Sequence, residues 1–125
     1  MSACTPEEFE VLVKKAVQGL PPQFKERLEN IAVVVRNEPS AVQRREAGLS
    51  AHAELLGLYE GVPLGKRTHN YGNILPDKIT IFRGPILRTC TGPREIKKAV
   101  QRTILHEFAH YFGISDEHML EEGTY

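Results

Sequence analysis

The sequence predicts one soluble α/β (α+β) domain over residues 1–125, and three observations carry that expectation. Apolar runs at Ile31 to Val35, Leu56 to Val62 and Lys78 to Phe82 are β-branched or partly alternating and short enough to be strands. Segments with helical apolar spacing flank them, the longest being Arg94 to Phe112, which has no internal glycine or proline. A length of 125 residues with 41% hydrophobic and 26% charged residues suits a single modest core.

The elements follow in order. Thr5-Pro6-Glu7-Glu8 opens a helix, with Thr5 as cap, Pro6 at the first position and Glu8 three residues after the cap. Phe9, Leu12, Val13, Ala16 and Val17 then recur at helical spacing until Gly19. Pro21-Pro22 starts a short second helix through about Glu29. Ile31 to Val35 is bounded by Asn30 and Asn37-Glu38-Pro39, as a buried strand would be. Ala41 to Leu56 holds no proline and reads equally as a helix or a long excursion. Leu56 to Val62 is a strand with a glycine bend, Pro63 to Asp77 a loop, and Lys78 to Phe82 a third strand that Arg83-Gly84-Pro85 breaks. Pro85 to Cys90 forms a turn of helix, and Thr91-Gly92-Pro93 separates it from the long helix. Ile96, Val100, Ile104, Phe108 and Tyr111 make one apolar stripe along that helix.

The same helix carries His106-Glu107-Phe108-Ala109-His110, which continues through Gly113 to Asp116 as HExxHxxGxxD. Residues four apart on a helix are offset by about 40°, so His106 and His110 point the same way and can each offer a nitrogen to one Zn²⁺. Glu107 falls between the histidines and the apolar stripe, placed to act as general base on a zinc-bound water. Its position at the edge of the stripe raises its expected pKa, and a nearby zinc ion would pull it the other way. A helix continuing straight would carry later ligands away, and Gly113 lets the chain turn back. Asp116, one of two aspartates in the chain, is the preferred third ligand, with Glu117 and His118 nearby as competitors. Ser115 can cap a final short helix from Asp116 to about Glu122. The pattern predicts metal-assisted amide hydrolysis, with a fourth metal position open to water.

Composition excludes other classes. Sixteen basic and sixteen acidic residues cancel, so no general field favours nucleic acid or an anionic membrane. The pairs Arg44-Arg45, Lys66-Arg67 and Lys97-Lys98 read as solvated surface. Cys4 and Cys90 do not make a disulfide framework and suit a reducing, cytoplasmic setting. The first residues lack the features of a signal peptide, and no stretch reaches the roughly 18 apolar residues of a membrane span. Met119 reads as a core or surface methionine rather than a floor beneath the metal.

The chain resembles the minimal zincin family of small bacterial metallopeptidase-like proteins. The segments that carry the likeness are Leu56-Gly57-Leu58-Tyr59-Glu60-Gly61-Val62-Pro63-Leu64, Leu75 to Phe82 and the HExxHxxGxxD motif. The resemblance implies a compact zincin-like fold, a small mixed sheet of three to four strands packed on the motif helix, with additional amino-terminal helices. It also implies Zn²⁺ held by His106, His110 and Asp116, and a peptide or unfolded protein as substrate. An edge strand above the helix would grip extended peptide, and Lys78 to Phe82 is the segment expected to do so. Tyr59, Arg67, His69 and Tyr125 are candidate donors to the developing oxyanion. The competing reading is a catalytically weak or inactive zinc-binding module that acts through a protein partner.

Overall fold

A computed structural model describes residues 4–48, 54–61 and 77–112, and of residues 111 and 112 the backbone alone. The expected turn at Gly113, the ligand candidates Asp116, Glu117 and His118, the donors Arg67, His69 and Tyr125, and Met119 lie outside the described residues. Helix α1 spans Pro6–Gln18 and opens as its sequence predicts: Glu8 N donates to Thr5 Oγ1 at 3.1 Å and Thr5 N donates to Glu8 Oε1 at 2.9 Å. Such a cap stabilises a helix by about 1 kcal/mol. Phe9, Val13 and Ala16 are its buried face. Gly19 closes the helix with φ −83°, so what matters there is its size: an added Cβ would stand 2.9 Å from Gln101 Nε2, which donates to Ala16 O.

The remaining elements are α2 (Pro22–Arg27), β1 (Ile31–Arg36), α3 (Ala41–Glu46), β2 (Gly57–Glu60), β3 (Asp77–Phe82), α4 (Arg83–Thr89) and α5 (Pro93–Phe112). The open stretch after residue 40 therefore begins as a short helix. Ser40 and Gln43 form its capping box, and Gly48 at φ +70° ends it with its N–H on Arg45 O. A left-handed residue at that place strongly favours glycine. Arg83-Gly84-Pro85 does end β3, yet it does so by starting α4 at once. The Gly84 N–H, an orphan donor of the first helical turn, reaches Asn37 O at 2.8 Å, and Pro85 is tolerated because first-turn donors have no partner inside the helix. An added Cβ at Gly84 would meet that same carbonyl oxygen at 2.8 Å.

The strands form a mixed sheet in the order β1-β3-β2, with β1 parallel and β2 antiparallel to β3. This corrects the expectation that Lys78 to Phe82 is an edge strand: it is central, and Ile79, Thr80, Ile81 and Phe82 are all buried. The partial alternation came from Thr80, a polar residue that the interior accepts because its hydroxyl donates to Glu60 Oε1 at 2.9 Å. Among the described residues the edge beside the motif helix belongs to β2.

Helix α5 lies across β2 and β3 and along α1. Ile96, Val100, Ile104 and Phe108 fill the interface as the stripe predicts, and Leu105 and Ala109 widen it. Outside the core, Arg88 of α4 binds Glu38 through paired bonds of 2.8 and 2.9 Å and Glu54 through bonds of 2.6 and 3.1 Å. That double clamp ties the segment after β1 to the segment that enters β2. Among the described residues no helix is long and apolar enough to cross a membrane.

Candidate metal and peptide site

Close contact between α5 and β2 creates the site. Gly57 lets the Thr103 side chain of α5 lie against the β2 backbone, since a Cβ there would clash with Thr103 Cγ2 and stand 3.0 Å from Thr80 O. The glycine read from sequence as a bend is thus a packing requirement. One helical turn past Thr103 come His106 and Glu107, and two residues past Gly57 comes Tyr59.

The register decides what Tyr59 offers. Phe82 N donates to Leu56 O at 2.9 Å, which makes Leu56 and Phe82 a hydrogen-bonded pair, and Gly57 faces Ile81 while Tyr59 faces Ile79. In an antiparallel ladder the alternate residues turn their backbone groups outward, so the Tyr59 N–H points away from β3. It donates to Glu107 Oε1 at 3.3 Å. Glu107 is half-buried, and burial pushes its carboxyl above the usual carboxylate range, opposed by the Tyr59 hydrogen bond and by His106 and His110. The raised value matches the expectation from its place at the edge of the apolar stripe.

His106 and His110 are both exposed, with nearly parallel rings 19° apart in plane and 6.2 Å apart in centroid. Together with Glu107, Tyr59 and Leu58 they line a cleft of about 290 Å³. Glu46 and Ala47 from the end of α3 and Leu55 ahead of β2 complete its lining. Neither Glu46 nor this part of the lining was singled out in the sequence. The signal was present in Ser40-Ala41-Val42-Gln43, a capping box directly after Pro39, which fixes a helix start and hence the end that carries Glu46. Tyr59 stands differently from its expected oxyanion role: its hydroxyl donates to Asp77 Oδ2 at 2.8 Å, and its backbone N–H is what reaches the cleft's carboxylate.

Two imidazoles side by side at a cleft rim fit a borderline-soft divalent ion that takes nitrogen ligands at about 2.0 to 2.1 Å. Catalytic zinc uses three protein ligands, and among the described residues no group of three or more His, Cys, Asp or Glu side chains is placed to hold a metal. The described part of the site thus supplies two nitrogen donors and a carboxylate at the side of the cleft.

Residues 28–124 match the family model of zincin-like metallopeptidases. The chain belongs to the zincin-like metallopeptidase family. The family match runs from just before β1 beyond α5, and α1 and α2 precede it. Among solved structures, a conserved hypothetical protein from Thermo thermophilus is similar to this zincin-like chain, with 25% identity and a TM-score of 0.55 over 87% of this chain and 94% of that one. That likeness bears out the mixed α/β architecture. No curated protein matches the chain.

Proposed function

We infer that this zincin-like protein is a zinc-dependent metallopeptidase, with His106 and His110 as two metal ligands, Asp116 as the third and Glu107 as general base. The observation that carries the reading is the Glu107 carboxylate, half-buried at the cleft wall beside both imidazoles and held by the Tyr59 N–H at 3.3 Å. Zn²⁺ held there would supply Lewis acidity toward a peptide carbonyl and lower the pKa of water to roughly 7.

Glu107 accepts a proton from the attacking water and passes it to the leaving amine, so its protonation cycles once per turnover. Burial, which disfavours its ionised form, brings its proton affinity closer to what neutral operation requires. The Tyr59 N–H fixes one carboxylate oxygen and leaves the other free for the proton. Among the described residues β2 is the edge beside the motif helix, and its outward groups at Gly57 and the Tyr59 carbonyl suit an extended peptide better than the central β3 does.

Glu107→Gln tests the reading. The variant keeps a carbonyl oxygen for the Tyr59 N–H and loses the base. Zinc content of the purified, reconstituted protein should stay at the parent level while turnover of a mixed peptide library falls by at least about 10²-fold. Equal turnover in parent and variant, or no chelator-sensitive turnover in the parent, would favour the inactive zinc-binding module instead.

A further inference from the structure

We propose that the cleft beside His106 and His110 contains a side-chain subsite selective for a basic residue, with Glu46 as its charge-selecting group. The proposal rests on the peptidase reading and names the substrate class that reading leaves open. Ala47, Leu55 and Leu58 give the cleft an apolar lining alongside the histidines and Glu46, and Leu55 is 6% exposed. A cleft of about 290 Å³ lies at the lower bound of small-ligand sites, which run from about 300 to 1,000 Å³, and has room for a long side chain rather than a bulky ligand. Besides Glu107 at the histidines, the cleft carries a second carboxylate, the exposed Glu46, and hydrocarbon lining with such a group complements lysine and arginine, whose methylene stems bury against hydrocarbon while the charged head stays hydrated.

Glu46 is an unusual residue for its place. It is the last residue of α3, where the unpaired carbonyls of a helix end repel a carboxylate. Arg44 and Arg45 supply the cations suited to that end, yet the residue lining the cleft is the acid. Among the described residues Glu46 pairs with no cation. An incoming basic side chain would complete it.

The lining is also built, not incidental. Gln43, one helical turn earlier, accepts from Ser40 N through Oε1 at 2.9 Å and donates from Nε2 to Glu60 Oε1 at 3.2 Å. Glu60 is held in turn by the Thr80 hydroxyl. The Gln43–Glu60 bond ties α3 to β2, and Glu46, three residues after Gln43, shares its side of the helix.

The test uses the full chain carrying Glu107→Gln, reconstituted with zinc, so that peptides bind without being cut. Fluorescein-labelled peptides, alanine-rich and identical except for one central lysine, norleucine or glutamate, are titrated and read by anisotropy. The lysine peptide should bind about fivefold tighter than norleucine and at least about tenfold tighter than glutamate at low salt, with both gaps narrowing as salt rises. Adding Glu46→Gln should erase the gap between lysine and norleucine, and Glu46→Lys should reverse the order of lysine and glutamate. Equal binding of lysine and norleucine peptides, no binding of any of the three, or a lysine preference that survives Glu46→Gln overturns the proposal. Failure of the peptidase reading shows separately, as absent turnover of the same peptides by protein with Glu107 intact.

Discussion

Gly57→Ala tests the idea that the site exists because α5 and β2 touch through a missing side chain. The new methyl would clash with Thr103 Cγ2 and sit 3.0 Å from Thr80 O, a backbone atom of the central strand that cannot rotate away. Overpacking of this kind costs about 1–3 kcal/mol, and alanine recovers about 0.5–1 kcal/mol of the strand penalty of glycine. The net expectation is a loss of about 1–2 kcal/mol, or about 4–8 °C in Tm for a chain of this size. Thermal unfolding of zinc-free protein measures it without interference from the metal. Thr103→Ser removes the clashing methyl and keeps the hydroxyl, so the double variant should recover part of the loss, with a coupling of at least about 0.5 kcal/mol. The Thr80 carbonyl remains in place and prevents full recovery. A Gly57→Ala protein as stable as its parent, or a strictly additive double variant, would refute the account of how helix and strand are set.

Three further outcomes follow from the same structure. Burial raises the Glu107 pKa in the folded chain, so its contribution to stability is present below the ordinary carboxylate range and is lost as pH rises through the raised value. Metal-free Glu107→Gln should therefore exceed its parent in denaturant midpoint at pH 7 and converge with it near pH 4. Zinc should raise the Tm of the intact protein, with about 2.7 kcal/mol expected at a free concentration one hundred times Kd, and His106→Ala or His110→Ala should abolish the shift in differential scanning fluorimetry. Arg88 holds the Glu38 and Glu54 carboxyls below their usual range, so its clamp stabilises above the ordinary carboxylate pKa and fades as pH falls through the lowered values. Arg88→Gln should lower Tm at pH 7 and low salt, and the difference should shrink both at high salt and in acid.

Much of this was legible in the chain because it depends on neighbours in sequence. The Thr5-Glu8 cap, the β-branched run of β1, and the uninterrupted stripe from Ile96 to Phe108 each report local geometry, and the pairing of His106 with His110 needs only the helical period. What was hidden depends on partners far along the chain. Strand order places β3 between β1 and β2, and nothing in Asp77 to Phe82 announces that Thr80 will be buried against Glu60, twenty residues away. Gly57 looked like a bend because its need for space is set by Thr103 on another element. Tyr59 drew attention for its phenol, whereas the atom that matters to Glu107 is its backbone nitrogen, which every non-proline residue possesses.

The bond from that nitrogen gives the protein a built-in indicator. An amide proton lying against one carboxylate oxygen feels whether the group is charged, so the Tyr59 resonance in a ¹⁵N spectrum should move as Glu107 titrates and stay still in Glu107→Gln. One crosspeak could then follow the proton inventory of the cleft as peptides or metal enter, with no turnover and no attached dye.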